Sequence, residues 1–250
     1  MTADDAIDEC RTGTARVSRW RDRLAHLKRQ AISRLYPLST HLPFGPYEQP
    51  ELWVSEALRV CYVVNPKVAS SSIMVALSEL ATGQAIEAFW HNHPVVSQFR
   101  RTSARQVPAG YFRFTIVRDP GDRIVSLYRQ KFLRAPMDEE PFAYARYLGG
   151  LFLPSDDFPA FCAKVAKIPD RLAERHFISQ GFWFDRICQV PLDYVGRLET
   201  IEQDWTAICQ RIGRSVELPR INVSTLVPFN PRVPHLVRDR YAGDFERFGY

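Results

Sequence analysis

Residues 60–82 constrain the fold more than any other stretch of the chain. They read Val60-Cys61-Tyr62-Val63-Val64-Asn65-Pro66-Lys67-Val68-Ala69-Ser70-Ser71-Ser72, followed by Ile73-Met74-Val75-Ala76-Leu77-Ser78-Glu79-Leu80-Ala81-Thr82. The short apolar, β-branched run predicts a buried strand, Asn65-Pro66 ends it, and small residues lead into a helical pattern. Ile73, Ala76, Leu77 and Leu80 recur at three- and four-residue spacing, which predicts a buried stripe, with Ser71 or Ser72 capping the first turn. Such a strand, loop and helix place free loop amides at a helix N-terminus, where unpaired donors and the helix dipole suit an oxyanion. Lys67 adds a mobile positive charge at the lip. Any parallel α/β protein has turns of this kind, so this stretch alone does not decide between an anion site and a plain connection.

A second junction of the same type narrows the choice. Phe112-Arg113-Phe114-Thr115-Ile116-Val117 is an apolar strand that runs into Arg118-Asp119-Pro120-Gly121-Asp122-Arg123-Ile124-Val125-Ser126-Leu127-Tyr128-Arg129-Gln130-Lys131-Phe132. Pro120 sits where a helix begins, and Ile124, Leu127, Tyr128 and Phe132 mark its buried face. Arg118 therefore leaves the carboxyl end of a strand and Ser126 rides on the following helix. In an open parallel sheet, ligands bind at that end of the strands.

Together the two junctions resemble those of the sulfotransferases that use 3'-phosphoadenosine 5'-phosphosulfate (PAPS), and within them the carbohydrate type, sulfotransferase family 2. In that family the loop Pro-Lys-x-x-x-x-Ser holds the 5'-phosphosulfate, which maps to Pro66, Lys67, Val68, Ala69, Ser70, Ser71 and Ser72. The segment Arg-Asp-Pro-x-x-Arg-x-x-Ser-x-Tyr holds the 3'-phosphate and maps to Arg118, Asp119, Pro120, Arg123, Ser126 and Tyr128. The stretch from Asp193 to Thr200, the Asn-x-Ser of Asn222 and Ser224, and the ending from Tyr241 to Tyr250 fit as well. The resemblance spans roughly residues 58–250. It implies an α/β, three-layer P-loop-like fold with a central parallel sheet flanked by helices. Residues 58–250 are then the sulfotransferase domain, and residues 1–57 an N-terminal amphipathic helix with a Pro-rich linker.

Composition agrees with one such domain. The chain has 250 residues, 46% hydrophobic and 24% charged, enough apolar material for a single sizeable core. A net charge of +5 is modest for this length and suits anionic ligands more than nucleic acid. The five cysteines, Cys10, Cys61, Cys162, Cys188 and Cys209, are widely spaced and show neither a disulfide framework nor a zinc signature, so buried free thiols and a reducing compartment are expected. No stretch approaches a membrane span, and the acidic N-terminus is wrong for a secretory signal. Animal members of the family are usually anchored Golgi proteins; here a cytoplasmic, bacterial relative is expected, with a Golgi enzyme that has lost its anchor as the alternative.

Along the chain, residues 13–36 interleave Val17, Trp20, Leu24, Leu27, Ala31, Ile32 and Leu35 with arginines and lysines, the pattern of an amphipathic helix with a basic face. It suits a peripheral membrane contact or, as the commoner outcome, packing of its apolar stripe on the domain or a partner subunit. Residues 37–50, with four prolines, read as a non-helical link. Residues 85–90 predict a short strand, residues 97–105 a short helix with Arg100, Arg101 and Arg105, and residues 141–151 a helix in an acceptor wall. Further helices are expected over residues 159–168, 199–212 and 233–241, and a third strand over residues 195–198. His176 to Gln180 resembles the His-x-x-x-Gln segment that helps shape the acceptor side in the carbohydrate enzymes.

The implied reaction is transfer of a sulfuryl group from PAPS to a hydroxyl of a carbohydrate or glycoconjugate, with no metal, and with an anionic acceptor favoured by the arginine clusters. Lys67 and the amides of residues 68–72 would neutralise charge on the leaving 5'-phosphate, and Arg118 and Ser126 would hold the 3'-phosphate. The base is expected to be His93 or His91, whose spacing resembles a His-x-His pair of the hexuronic acid 2-O-sulfotransferases; Pro94 restrains His93, which is preferred, with Glu87 and His176 in reserve. A P-loop nucleotide kinase is disfavoured because the loop has no glycine and Lys67 precedes the small residues. A non-catalytic binding protein for acidic glycans or nucleic acid is disfavoured because Lys67, Arg118 and Ser126 are all present.

Overall fold

The computed structural model describes residues 23–24, 27–28, 30–31, 46–86, 93–134, 144–221 and 229–250. Within them, β1 (Leu52–Ser55), β2 (Val60–Val63), β3 (Arg100–Arg101), β4 (Phe112–Val117) and β5 (Tyr194–Arg197) form one sheet in the order β3-β1-β2-β4-β5. β2, β4 and β5 run parallel, whereas β1 is antiparallel to both β2 and β3. The sheet is thus parallel where the two junctions lie and antiparallel at one margin.

Strand alternation sorts the apolar residues into two cores. Leu52, Val54, Cys61, Val63 and Val117 face one side, against α3 (Pro120–Tyr128), α4 (Phe158–Ala166) and the aromatic residues of 144–184. Trp53, Val60, Tyr62, Phe114 and Ile116 face the other, against α1 (Ser70–Thr82) and α5 (Ile201–Ile212). Two layers of helix on a sheet buried on both faces are the expected α/β arrangement.

Several local expectations change. The stretch before residue 58 is not all linker: β1 is fully buried and pairs with β2, because Leu52, Trp53 and Val54 alternate between the two cores. α1 is buried on most of its circumference, from Ser72 to Ser78, rather than along one stripe, as befits a helix apolar all round. Residues 97–105 split into α2 (Pro94–Ser97), β3 and a 3₁₀ turn (Ala104–Gln106), since Arg100 and Arg101 extend the sheet beside β1. α3 continues into a π-helical segment, Arg129–Arg134, which carries Phe132 into the core. The final helix becomes two, α6 (His235–Arg240) and α7 (Ala242–Phe248). Leu24 and Leu27 are exposed, so these two members of the N-terminal apolar stripe do not pack on the domain. Ala31 is exposed as well, while Val17, Trp20, Ile32 and Leu35 of that stripe, residues 87–90 of the strand expected over residues 85–90, the start of the helix expected over residues 141–151, and Asn222 and Ser224 lie outside the described residues.

α6 and α7 act on the site from a distance. Asp244 of α7 accepts hydrogen bonds from the backbone of Gln180 and Gly181 at 2.6 and 2.8 Å, and Arg240 of α6 pairs with Asp170, which itself accepts from Ser179 N at 2.8 Å. The C-terminal residues therefore fix the segment 170–181 against the strand ends.

Candidate active site

The loop after β2 adopts a left-handed conformation at two non-glycine residues, Lys67 (φ 72°) and Ala69 (φ 59°). Such residues turn the chain so that successive amides converge on one point, a geometry suited to an oxyanion. Ala69 is the N-cap of α1 and makes no side-chain cap, because alanine has no acceptor to offer. The expected serine cap is therefore absent. Ser72 instead accepts a hydrogen bond from Ile221 N at 3.2 Å and ties residues 214–221 to the helix start. The Val68 side chain is fully buried and anchors the loop from below.

Two arginines of the second junction play different parts. Arg118 lines the cleft and donates from Nη1 to Lys67 O at 3.3 Å. Arg123 is only 1% exposed, and its guanidinium donates to Pro66 O at 3.2 Å, Ile178 O at 2.6 Å and Arg175 O at 2.8 Å. It is a strut between the loop and residues 175–178, not a ligand contact as the motif suggested. Tyr128 is likewise structural, its hydroxyl donating to Asp156 O at 2.9 Å. Ser126, one turn away from Arg123 on α3, does line the cleft.

Lys67 is half-buried and donates from Nζ to Gln130 Oε1 at 2.7 Å. Burial, joined by the nearby cations Arg118, Lys131 and Arg123, lowers its pKa to about 7. An ammonium disfavoured this strongly is one that an anionic ligand would stabilise.

Pro66, Lys67, Ala69, Ser70, Ser71, Ser72, Arg118 and Ser126 all line one cleft of about 2000 Å³. Leu198, Ile201, Trp205 and residues 214–221 form a second wall, and Tyr47, Glu48, Glu51, Glu174, Arg175 and His176 a third. On that third wall Arg175 pairs with Glu48 at 2.9 Å and also with Glu51. His176 Nδ1 lies 2.7 and 2.9 Å from the two carboxylate oxygens of Glu174. His93 is not part of the cleft lining; it precedes α2 as its N-cap. His91 and Glu87 lie outside the described residues. Gln130, Lys131, Glu174 and the wall of residues 214–221 carried no recognisable local signal, although the carboxylate two residues before His176 is visible in the sequence.

The Sulfotransferase family matches the chain over residues 50–250. Human carbohydrate sulfotransferase 10 is 23% identical over 249 residues, covering 84% of this chain and 70% of that protein. Its zebrafish (Danio rerio) counterpart is 27% identical over 252 residues, covering 84% and 69%. Mouse carbohydrate sulfotransferase 12 is 23% identical over 260 residues, covering 82% and 61%. No solved structure matches the chain.

Proposed function

The chain belongs to the sulfotransferase family, and from that premise we propose that it transfers a sulfuryl group from PAPS to a hydroxyl of a carbohydrate or glycoconjugate. The observation that carries the site assignment is the opening of both junctions, at the ends of adjacent parallel strands β2 and β4, into one cleft. In this reading Lys67 and the amides of residues 68–72 receive the 5'-phosphosulfate, and Arg118 with Ser126 receives the 3'-phosphate. The uncapped helix start and the left-handed turns at Lys67 and Ala69 fit the first task; a half-buried arginine in the cleft lining fits the second. PAPS supplies the activated sulfuryl group. The chain's part is to align the acceptor with it and to neutralise charge as the 5'-phosphate leaves, which Lys67 does best from a site where burial strengthens its field. No step is assigned to a metal.

Arg175 is shared by Glu48 and Glu51, and Glu174 lies beside His176, so carboxylates outnumber guanidinium on the third wall and a neutral, hydroxyl-rich acceptor suits it better than an anionic one. No helix among the described residues is long and apolar enough to cross a membrane. Cys61, Cys162, Cys188 and Cys209 are free and buried, and burial raises the Cys61 and Cys162 thiols to about 12. Shielded thiols stay reduced without help from their surroundings, so they no longer argue for a cytoplasmic compartment.

The test is calorimetry with 3',5'-ADP and 5'-AMP, followed by labelled PAPS with a glycan panel and mass spectrometry of the product. Tight binding of 3',5'-ADP alone and a sulfated glycan are expected. Equal affinity for the two nucleotides would remove the basis for PAPS.

A further inference from the structure

Resting on the sulfotransferase reading, we propose that His176 is the general base that takes the acceptor's proton, and that Glu174 is the positioning residue that keeps its Nε2 free to do so. At neutral pH the Glu174 carboxylate is ionised: burial alone would raise its pKa, but the charge and hydrogen bonds of His176, with Arg175, hold it below the usual carboxylate range. An ionised carboxylate only accepts, so the ring nitrogen facing it, Nδ1, carries the proton. Nε2 is then the bare, basic nitrogen. Glu174 cannot swing away easily, since its Oε2 also accepts from His176 N at 3.0 Å and from the Tyr144 hydroxyl at 3.3 Å. The His176 side chain is 26% exposed, and it lines the same cleft as Lys67.

The distance across the cleft is set by Arg123. One guanidinium bonds Pro66 O with Nε and Arg175 O with Nη2, so the residues next in sequence, Lys67 and His176, start from main-chain points one guanidinium and two hydrogen bonds apart. An acceptor hydroxyl between them would meet the leaving end of the donor on one side and an imidazole on the other. The remaining carboxylates of this wall are committed elsewhere: Glu48 to Arg175, and Glu51 to Arg175 and Arg100. The charged groups around His176 are thus Glu174 directly, Arg175 with its two glutamates, and Lys67 and Lys131 in the facing lining.

In the step itself the acceptor oxygen forms its bond to sulfur while its proton passes to Nε2 of His176. The bond from sulfur to the bridging oxygen breaks, and its electron pair leaves on the 5'-phosphate of 3',5'-ADP. The imidazolium so formed lies against the Glu174 carboxylate, which stabilises it as it appears.

The test uses the whole chain and its His176→Ala, Glu174→Gln and Glu174→Asp variants. Three quantities are read: affinity for 3',5'-ADP, PAPS turnover with water and with desulfated chondroitin as acceptors, and the imidazole tautomer by nitrogen-15 NMR. His176→Ala is expected to keep its 3',5'-ADP affinity within about twofold and to lose turnover by about 10²- to 10⁴-fold, with partial recovery in added imidazole. Glu174→Gln is expected to move the acid limb of the kcat profile to lower pH, because the imidazolium loses its counter-charge, and Glu174→Asp to restore it. Wild type should show protonated Nδ1 and bare Nε2. Turnover of His176→Ala within threefold of wild type, an acid limb unmoved in Glu174→Gln, or a protonated Nε2 in neutral wild type would each overturn the assignment. Failure of wild type to bind 3',5'-ADP or consume PAPS would instead sink the sulfotransferase reading, and the tautomer would still decide whether the pair is set as a base.

Discussion

Gln180 holds the main chain of Arg118 from both sides: its Oε1 accepts from Arg118 N at 3.1 Å and its Nε2 donates to Arg118 O at 2.9 Å. The same Oε1 accepts from Asn65 Nδ2 at 2.9 Å, and Asn65 donates on to Ile116 O at 2.9 Å. One fully buried glutamine therefore ties the end of β2, the end of β4 and, through its backbone N–H on Asp244, the C-terminal helix α7. Networks of this kind fix a geometry because every broken member leaves another buried and unpaired.

Gln180→Leu should accordingly be costly. It strips partners from a buried N–H, a carbonyl and an amide, each worth about 1–3 kcal/mol when left unmade. Urea unfolding should show a loss on the order of 2–5 kcal/mol. Binding of 3',5'-ADP should weaken more than stability alone explains, since Arg118 loses its anchor. A variant as stable as wild type would show that the network is decorative.

Arg118→Ala tests the mouth of the second junction. If its guanidinium receives the 3'-phosphate, removing it should cost roughly 1.5–3 kcal/mol for 3',5'-ADP and little for 5'-AMP, bringing the two affinities together. Arg123→Ala should behave otherwise, unfolding the loop and weakening both nucleotides alike, because its three acceptors are backbone carbonyls. Calorimetry in which Arg118→Ala keeps a strong preference for 3',5'-ADP would move the phosphate site elsewhere.

The contrast between these two arginines shows what the sequence makes legible. Both junctions are written locally, as an apolar run, a proline and a following helical pattern, and so are Lys67, Arg118 and Ser126 at their places in them. The role of Arg123 is not, because its partners lie 52 to 57 residues away and only burial separates a strut from a ligand contact. β1 is hidden for a similar reason: four residues behind a proline-rich stretch reveal a strand only through their pairing with β2. The Glu174 and His176 pair is adjacent in sequence, yet its meaning depends on the cleft that Arg123 closes up from the other side.

Gly196 of β5 tests how tightly the second wall is seated. A Cβ at this position would meet Ile116 Cδ1 at 2.7 Å and Asp204 Cβ at 2.9 Å, so β5 and α5 approach as only glycine permits. Gly196→Ala should push α5 outward and cost about 1–3 kcal/mol, the usual penalty for overpacking. Because Leu198, Ile201 and Trp205 of this region line the cleft, nucleotide affinity should fall with it. An unchanged melting temperature would mean that the strand and helix can separate freely.

Lys67 offers the sharpest link between charge and function. Its pKa lies at about 7 because burial and three neighbouring cations oppose the ammonium; a bound phosphosulfate or phosphate reverses that balance and drives the value back toward 10.5. At pH 8 the free side chain is mostly neutral and the bound one charged, so binding should take up roughly one proton; at pH 6 Lys67 is already charged, and its uptake should fall toward zero. The same depression bears on folding with the opposite ligand dependence. The unfolded chain holds this proton up to its ordinary pKa, so the protein without ligand should gain stability as pH rises from 7 toward 10.5, and ligand should cancel the gain. Calorimetry of 3',5'-ADP binding in buffers of different ionisation enthalpy measures the uptake directly. Lys67→Ala should abolish the pH 8 uptake and, if the ammonium meets charge that grows during transfer, lower turnover by about two to three orders of magnitude. Proton uptake that survives in Lys67→Ala would assign the titration to another group, and turnover preserved with only a raised KM would make Lys67 a docking charge.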